Sequence, residues 1–549
     1  MSGTRRRTPE SSAGPLAHSL AVPPSPLHTW PPGRSPSPVR RALLGAVCAG
    51  ALPLSAPVFL RHARAADTPR FALGVASGQP RPDGMVLWTR LSGPDLPDSV
   101  PVQWELAHDE AFTRIAARGL EVAQAETAHS VHAEPVGLAS GRVWWYRFSA
   151  LGDRSPTGRT RTAPAPESTA TLRFAIASCQ RWEYGHYAAW RDITAADPDL
   201  VMFLGDYIYE YPMAVDPVRN IRGGLVTTLE GYRDRYAQYK ADPLLQAAHA
   251  CAPWVMVWDD HEVQNDYAAS TGGWVGRLGE TLFGDFRQQR AQAYQAYWEH
   301  MPFPKAARPR GDAMRIYSHL DWGRLARIHL LDNRQYRDPQ VCPRPGRLLG
   351  SNTVSPKACP ELLDPKRSLL GAAQERWLAE GWSLERPWNL VAQQTLMSRM
   401  SWTDPTTEPS YWTDGWDGYA PARQRLLGTA AQRRVPGLVV LGGDVHAHYV
   451  GQLKPDYDDP RSPVVGSEFC GTSISSRGPA QSRLDAALPH HPHLLYGNSR
   501  HRGSVLFRLD ATTLQADLRA VERPRDPDSP VGSAARFVVE AGKPGPQRA

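Results

Sequence analysis

Four short segments hold the residue types in this chain that could do chemistry. They are Ala177-Ser178-Cys179, Gly205-Asp206-Tyr207-Ile208-Tyr209-Glu210, Asp259-Asp260-His261-Glu262 and Gly442-Gly443-Asp444-Val445-His446. Several carboxylates grouped without a cation would be costly through desolvation and mutual repulsion. Carboxylates suit hard cations, whereas thiolate, phenolate and imidazole suit a transition metal. We therefore expect these segments to form a mixed metal cluster.

Each of the four segments comes at the end of an apolar run that predicts a buried strand. Apolar runs occupy residues 172–179, 200–206, 254–260, 326–333, 390–394 and 438–444, and helix-like stretches occupy residues 188–196, 227–250 and 286–300. Continuous apolar strands are typical of sheets covered on both faces, so the pattern predicts a layered α/β domain. In such sheets, sites collect at the carboxyl ends of the strands.

The region before this domain has a different pattern. Residues 71–162 contain short runs of alternating polarity, such as 85–89, 102–106 and 143–148, separated by Gly, Pro and Asp. This alternation predicts a small antiparallel β-sandwich of the immunoglobulin or fibronectin kind. We therefore divide the chain into an N-terminal extension with signal peptide (residues 1–65), a small β-sandwich domain (66–162) and an α/β domain (163–549).

The first 65 residues look like a leader for export. They hold eight Arg and one Glu, which is the whole formal charge of +7, so the remainder is neutral. Arg40-Arg41, the uncharged residues 42–60 and an Ala-x-Ala site before Ala66 are the parts of a secretory signal, and the paired Arg indicates twin-arginine export. A membrane anchor is the alternative, but Pro53 and Pro57 argue against it. We expect a periplasmic or secreted monomer that uses the export machinery and has no membrane span and no stable nucleic-acid partner.

The order of the four motifs resembles a known family. Gly205-Asp206-x-x-Tyr209 matches the motif of purple acid phosphatases, and the series Ala-Ser-Cys, Gly-Asp-Tyr-Ile-Tyr-Glu, Asp-Asp-His-Glu and Gly-Gly-Asp-Val-His is similar to the PhoD family of alkaline phosphatases and phosphodiesterases. The resemblance covers nearly all of residues 70–545. It implies a metallophosphoesterase-type β-sandwich flanked by helices, after the small antiparallel sandwich.

The resemblance also implies the cofactors and their ligands. It implies Fe3+ together with Ca2+, the latter as two ions. The implied iron ligands are Cys179, Asp206, Tyr209 and His446, with Asp206 bridging to the calcium side, and the implied calcium ligands are Asp260, Asp444 and, less directly placed by the motif, Asp259. Oxygen donors at these last positions suit calcium.

The implied activity is hydrolysis of phosphomonoesters and phosphodiesters, with small phosphate esters as substrates. Cations offset the charge of the phosphate and lower the pKa of water, so we expect a metal-bound hydroxide or oxide to attack phosphorus. By analogy, His261 stabilises the leaving oxygen or the equatorial charge. Further phosphate contacts are expected from four side chains: Asn265, Arg399, Tyr419 and Arg423.

Two other functions fit the same residues. One is a non-catalytic, calcium-stabilised cell-surface binding protein, and the other is a hydrolase selective for nucleotides, phytate-like substrates or phosphonates. Structural calcium sites rarely need thiolate and phenolate, which favours catalysis. The loop that carries Trp402, Tyr411, Trp412, Trp416 and Tyr419 is a hypothetical wall of the substrate cleft.

The leader and the odd cysteine count also bear on oxidation. Five cysteines lie after the predicted cleavage site, so an oxidising compartment leaves at least one thiol unpaired. Cys342 and Cys359 share one loop and are expected to pair. Cys251 with Cys470 is a second possible pair, and Cys179 is expected to be free.

Overall fold

Two large β-sheets carry most of the described chain. The structure is a computed structural model that describes residues 69–213, 215–273, 284–344 and 350–549. The predicted leader at residues 1–65 therefore lies outside the described residues. Among the described helices, none combines the length and the apolar character that crossing a bilayer requires.

The strands fall into an N-terminal set and a later set. The N-terminal strands are β1 (Val75–Arg81), β2 (Gly84–Arg90), β3 (Ser99–Ala107), β4 (Ile115–Gln124), β5 (Ser130–Ala133), β6 (Val143–Ala150), β7 (Asp153–Arg154) and β8 (Gly158–Arg161). The later strands are β9 (Leu172–Ala177), β10 (Leu200–Phe203), β11 (Pro253–Met256), β12 (Ser318–Trp322), β13 (Ala326–Leu330), β14 (Thr353–Val354), β15 (Trp388–Ala392), β16 (Tyr411–Trp412), β17 (Leu438–Gly442), β18 (His448–Leu453), β19 (Gly466–Cys470), β20 (Leu494–Asn498), β21 (Val505–Leu509), β22 (Thr513–Val521), β23 (Val531–Glu540) and β24 (Lys543–Arg548).

The α-helices of the described residues lie between the later strands. They are α1 (Ala188–Ala195), α2 (Leu229–Lys240), α3 (Pro243–Cys251), α4 (Phe286–His300), α5 (Gly371–Gly381), α6 (Ala420–Arg433) and α7 (Gln481–Ala487). The single helix predicted over residues 227–250 is wrong, because the structure has two helices there. The side chain of Asp242 accepts hydrogen bonds from the backbone N–H groups of Leu244 and Leu245, and Pro243 opens the second helix.

The two large sheets pack against each other. The first has the order β24-β23-β22-β21-β9-β10-β11-β1-β2-β5, and the second has the order β12-β13-β15-β17-β19-β18-β20. Leu390 and Val439 of the second sheet share one core with Phe174 of the first. Val391 and Val440 face the other way, into a core with α5 and α6. The apolar runs are therefore buried on both faces, which confirms the layered α/β prediction.

The predicted N-terminal sandwich is present, and one of its layers extends into the larger fold. A sheet of β4-β3-β6-β7, with β8 on β6, forms one layer. Its Val102 and Phe148 share a core with Leu87 of β2 and Val131 of β5. The second layer continues into the ten-stranded sheet, because β1 pairs in parallel with β11. The boundary at residues 162/163 stays a prediction.

The cysteines follow the expected pairing in one case and depart from it in another. Cys342 and Cys359 form a disulfide, and Cys179 is a buried free thiol. The second pair, Cys251 with Cys470, is wrong because both are free. Cys470 ends β19 with its thiol 3.2 Å from the Gly443 carbonyl oxygen, whereas Cys251 ends α3 with its thiol 3.2 Å from the Ala248 carbonyl oxygen.

Candidate metal centre

The predicted ligands follow strands whose carboxyl ends lie together. The strands β9, β10 and β11 are parallel neighbours in the first sheet. Cys179 follows β9, Asp206 follows β10 and Asp260 follows β11 by a few residues. Asp444 and His446 follow β17 of the second sheet. Both sheets thus bring polar side chains to one region, as expected at the carboxyl ends of parallel strands.

The backbone at four of these residues is in the left-handed region. The φ angles are 58° at Cys179, 61° at Asp206, 64° at Asp444 and 54° at His446. Such angles are uncommon outside glycine, and strained residues of this kind cluster at functional sites. The turns after the strands therefore hold these side chains in fixed directions that a relaxed strand would not give.

The residue before Asp206, Gly205, has to be a glycine for two reasons. Its φ is 104°, and a Cβ placed there would lie 2.5 Å from the Cβ of Asp259. Only glycine permits this close approach of the turns after β10 and β11. The approach brings the Asp206 and Asp259 backbones near enough to share Glu262, whose Oε2 accepts from both N–H groups, at 3.1 and 2.8 Å.

Four predicted iron ligands converge. The ligand atoms of Cys179, Asp206 and His446 all lie within 4.8 Å of one another. The hydroxyl of Tyr209 donates to Asp206 Oδ2 at 2.8 Å and lies 3.4 Å from His446 Nε2. His446 Nδ1 is 2.7 Å from the Arg477 carbonyl oxygen, which leaves Nε2 for the cluster. The sulfur, phenol, carboxylate and imidazole of the sequence motifs therefore form one group.

A second donor group contains Asp206 again. Ligand atoms of Asp206, Asp260 and His261 lie within 4.8 Å of one another, and Asp206 is thus common to both groups. This position suits the bridging role expected of Asp206. A third group joins Asp260 to two carboxylates that the sequence reasoning did not name, Asp266 and Asp414.

Burial sets the pKa values of the acidic groups. Burial first, and then the charge of Asp206, raise the pKa of the Cys179 thiol and of the Tyr209 phenol well above their usual values. Burial also raises the pKa of Asp260 and Asp444. Without cations, it is therefore unfavourable for Cys179, Tyr209, Asp260 and Asp444 to be negatively charged at the same time. A bound cation would reverse that balance by pairing with the charged forms.

Histidine neighbours act in the other direction. Burial tends to raise the pKa of Asp206, but His261 and His446 outweigh it and lower that pKa. Burial tends to lower the pKa of His261, but Glu210, Asp206 and Asp260 outweigh it and raise that pKa well above the usual value. Glu210 contributes directly, because its Oε2 is 2.7 Å from His261 Nδ1.

The residues fit a group of metal ions. Asp206 Oδ1 and Asp444 Oδ2 are buried and have no hydrogen-bond partner. Buried carboxylate oxygens without partners are costly unless a cation or water satisfies them. A thiol, a phenol and an imidazole on one side of Asp206 suit a transition metal, and the carboxylates on the other side suit a hard cation.

Asp259 is placed differently from the other predicted ligands. Its Oδ1 accepts from Nε of Arg334, so this oxygen is engaged by a guanidinium. Burial raises the pKa of Asp259 to about 8 despite that partner. Arg334 also pairs with Asp414 at 2.6 Å and with Asp260 at 3.5 Å. The positive charge of Arg334 therefore offsets part of the negative charge of these three carboxylates. A ligand role for Asp259 stays a prediction.

Three predicted phosphate contacts do not reach this cluster. Arg399 pairs with Asp458 at 2.5 Å, and Arg423 pairs with Asp417 at 2.6 Å. The hydroxyl of Tyr419 donates to the Asp338 carbonyl oxygen at 2.6 Å. These partners are all within the protein, and Asp417 itself lies beside the cavity described next, so a phosphate contact from the three side chains stays a prediction.

The donor groups open into a cavity of about 330 Å3. Of the predicted site residues, Asp206, Asp260, His261, Asn265, Asp444 and His446 line it. Trp402, Trp412 and Trp416 of the predicted aromatic wall also line it, whereas Tyr411 lies in a neighbouring cavity with Arg399. The backbone N–H of Asn265 donates to Glu210 Oε1 at 2.7 Å. Glu210 therefore holds two cavity residues, His261 and Asn265.

Several residues that contact the predicted ligands were not singled out from the sequence. Glu210 and Glu262 stood within the motifs, but nothing in their spacing gave them a role. Arg334 comes directly after the apolar run at residues 326–333, so its position was a usable signal. Ser476, whose Oγ is 2.7 Å from the Tyr209 hydroxyl, and Asp414 gave no such signal.

Two packed β-sheets, with the predicted metal ligands just beyond the ends of their strands, form the fold of the purple acid phosphatases. Purple acid phosphatase PPD1 from yellow lupin (Lupinus luteus) seeds has this fold, with a TM-score of 0.53 at 12% identity, covering 85% of this chain and 74% of that chain. A solved structure of PhoD matches with a TM-score of 0.81 at 38% identity, covering 87% of this chain and 92% of that chain.

Sequence comparisons reach the family. A family model described as PhoD-like phosphatase matches residues 174–518, and its N-terminal domain model matches residues 56–164. Alkaline phosphatase D of Bacillus subtilis (strain 168) is 39% identical over 491 residues, covering 86% of this chain and 82% of that protein. The chain belongs to the PhoD-like phosphatase family. The resemblance seen in the motifs and the assignment as a phosphatase-class hydrolase are thereby confirmed.

Proposed function

We propose that this chain is an exported, metal-dependent phosphoesterase that hydrolyses small phosphomonoesters and phosphodiesters. The observation that carries the proposal is that Asp206 belongs to two donor groups at once, beside His261 and in one cavity. The name of the Bacillus subtilis relative, alkaline phosphatase D, supports a phosphate ester as substrate.

The residues that would hold the metal ions divide around Asp206. Cys179, Tyr209 and His446 are proposed to hold Fe3+, and Asp260 and Asp444 to hold Ca2+, expected as two ions. Bound there, cations offset the negative charge of a phosphate ester and activate water for attack on phosphorus. The proposed calcium ligands Asp260 and Asp444, with the bridging Asp206, offer carboxylate oxygens, which calcium prefers.

His261 and Asn265 are the proposed substrate contacts. Because Glu210 lies 2.7 Å from Nδ1 of His261, the other ring nitrogen is left for a substrate oxygen. The Glu210 carboxylate beside Nδ1 favours the protonated imidazole, and a protonated His261 can stabilise the leaving oxygen and supply its proton. The Asn265 side chain lines the same cavity and offers an amide donor for a phosphate oxygen.

Export is the part of the proposal that rests on the leader. Arg40-Arg41, the uncharged run and the Ala-x-Ala site support passage through the export machinery to the periplasm or the medium. The Cys342–Cys359 disulfide is consistent with an oxidising compartment. Expression of the full chain in a bacterium, followed by fractionation and N-terminal sequencing, tests it. A mature N-terminus at Ala66 is expected, and an uncleaved cytoplasmic product would contradict it.

Hydrolysis of p-nitrophenyl phosphate and of bis-p-nitrophenyl phosphate by the natively exported protein tests the activity. We expect both to be hydrolysed, with activity lost on chelation and in Asp206→Asn and Cys179→Ala. Asp199→Asn is the matched control, because Asp199 is a buried carboxylate just before β10, at the opposite end from Asp206. A metal-loaded native protein that hydrolyses neither ester, in which Asp206→Asn only lowers the melting temperature, would favour the non-catalytic binding protein instead.

A further inference from the structure

The cavity that contains the donor groups also has a continuous apolar surface. We call this surface the apolar wall and define it by the lining residues Leu396, Met400, Trp402, Val445 and Tyr449. All five belong to one packed hydrophobic cluster, so they form a single patch. Hydrolysis at the metal centre makes no use of this patch, which leaves its role to be explained.

The apolar wall is fixed by its surroundings. Leu396, Met400 and Tyr449 are buried against Leu484 and Leu494, which back the wall from the side away from the cavity. The N–H of Met400 donates to Asp417 at 2.9 Å, which holds the loop before Trp402. Side chains that are packed on one side and open to a cavity on the other are typical of ligand pockets, in which apolar area supplies affinity.

Trp402 and Trp412 are the parts of this region best suited to contact a ligand. Both line the cavity and both are only half-buried, so part of each ring stays accessible. The third tryptophan, Trp416, is buried and donates its indole N–H to Gln393 at 3.1 Å, which makes it a supporting residue. Accessible indole rings beside a reaction centre offer stacking surface for a planar or apolar group.

The charges of the cavity point the same way. Among the described residues that line it, there are five Asp and two His, and neither Lys nor Arg. A phosphate at the metal centre has cations beside it. A second phosphate elsewhere in the cavity would meet no Lys or Arg among these lining residues. Arg423, just outside them, is already paired with Asp417 at 2.6 Å, and Asp266 would repel a like charge at close range.

We propose that the apolar wall, with Trp402 and Trp412, is a subsite for the organic group of the substrate, and that this group is apolar or aromatic. The inference rests on the proposed function and narrows it. Within the phosphate esters, the enzyme then favours esters with one phosphate and an apolar or aromatic group over nucleoside triphosphates and phytate-like polyphosphates.

Two phosphonates test the subsite by binding alone. Phenylphosphonate and methylphosphonate carry the same anionic group and differ only in the apolar part, and their binding to the metal-loaded protein is measured by calorimetry. Because burying one aromatic ring is worth about tenfold or more in affinity, phenylphosphonate should bind at least about tenfold more tightly. Equal affinities for the two phosphonates would overturn the proposal. The comparison uses the unaltered protein, so it does not depend on the folding of a variant.

Variants locate the effect. Trp402→Ala should lower the affinity for phenylphosphonate much more than that for methylphosphonate, so that the ratio falls towards one. Trp377→Ala is the control, because Trp377 is also half-buried but packs on Tyr317 and lies outside the residues that line the cavity. A ratio that Trp402→Ala and Trp412→Ala both leave unchanged would place the selectivity elsewhere and overturn the assignment to these residues.

Kinetics separates this inference from the proposed function. Phenyl p-nitrophenyl phosphate and methyl p-nitrophenyl phosphate share a leaving group, and kcat/KM should be at least about tenfold higher for the phenyl ester. If both are hydrolysed at the same rate, only the subsite fails. If the loaded protein hydrolyses neither and binds neither phosphonate, the proposed function fails as well. Faster turnover of phytate than of naphthyl phosphate would also contradict the subsite.

Discussion

Replacing Glu210 with Gln tests how His261 is held. Glu210 is fully buried, and its two oxygens serve two partners, His261 Nδ1 and the backbone N–H of Asn265, both at 2.7 Å. Gln keeps the shape but has only one acceptor oxygen. One of the two partners must then face an NH2 group, and the negative charge beside His261 is lost.

The size of the effect follows from these two contacts. A hydrogen bond to a charged group contributes about 1.5–3 kcal/mol. If this stabilisation acts on His261 in the transition state, kcat falls about 10-fold to about 150-fold. The effect should be greater for phenyl phosphate than for p-nitrophenyl phosphate, because a poorer leaving group depends more on the proton from His261. KM should change less than kcat, since the proposed metal ions offset most of the charge of the bound phosphate.

Steady-state kinetics on both substrates, with the metal content of each preparation measured, is the assay. Glu299→Gln is the matched control, because Glu299 is equally buried but pairs with Arg233 and does not line the cavity. We expect the control to lose stability without changing the ratio of the two kcat values. A Glu210→Gln enzyme with kcat within about twofold of the native value on both substrates would refute the positioning role.

Three further predictions concern stability. Arg334→Met should lower the free energy of unfolding of the metal-free protein by about 3–5 kcal/mol in urea, because it leaves the buried carboxylates of Asp259 and Asp414 unpaired. The control Arg327→Met breaks the partly exposed pair with Asp321 and should cost under about 1 kcal/mol. Similar losses in both variants would contradict this prediction. Burial raises the pKa of Glu468 from 4.5 to about 7, so the folded state binds this proton more tightly and stability falls by about 3 kcal/mol as pH rises through that window. Melting temperatures of Glu468→Gln should lack that part of the pH dependence, and an unchanged profile would rule it out. Cys342→Ser opens a disulfide with a sequence separation of 17, which should cost about 3 kcal/mol by the same urea measurement.

The strands of the two-sided α/β core could be predicted from the sequence because a buried strand has a continuous local run of apolar residues. Residues 390–392 are apolar without a break, and the structure buries Leu390 in one core and Val391 in another. The limits of helix α4 agree with the predicted range as well. The continuation of β1 into the larger sheet was not predictable, because parallel pairing with β11 joins residues more than 170 positions apart and leaves no local pattern.

Site residues that belong to the sequence motifs could be predicted. The contacts of residues whose partners are distant in the sequence could not. Asp206 and His446 were placed together by motif alone. By contrast, Arg399 and Arg423 were assigned to phosphate from their segments, and nothing in the sequence indicated that they would pair with Asp458 and Asp417. Which acid an arginine meets depends on packing between separate loops, and a single sequence does not record that choice.

We propose that one transition-metal ion is bound by Cys179, Asp206, Tyr209 and His446. Elemental analysis and visible absorption of the natively exported protein, compared with Tyr209→Phe, test it most directly. We expect iron in near-equal amount to protein, together with calcium, and a visible tyrosinate-to-iron absorption band that disappears in Tyr209→Phe. A native protein that is fully active without iron, or whose absorption band survives that substitution, would contradict it.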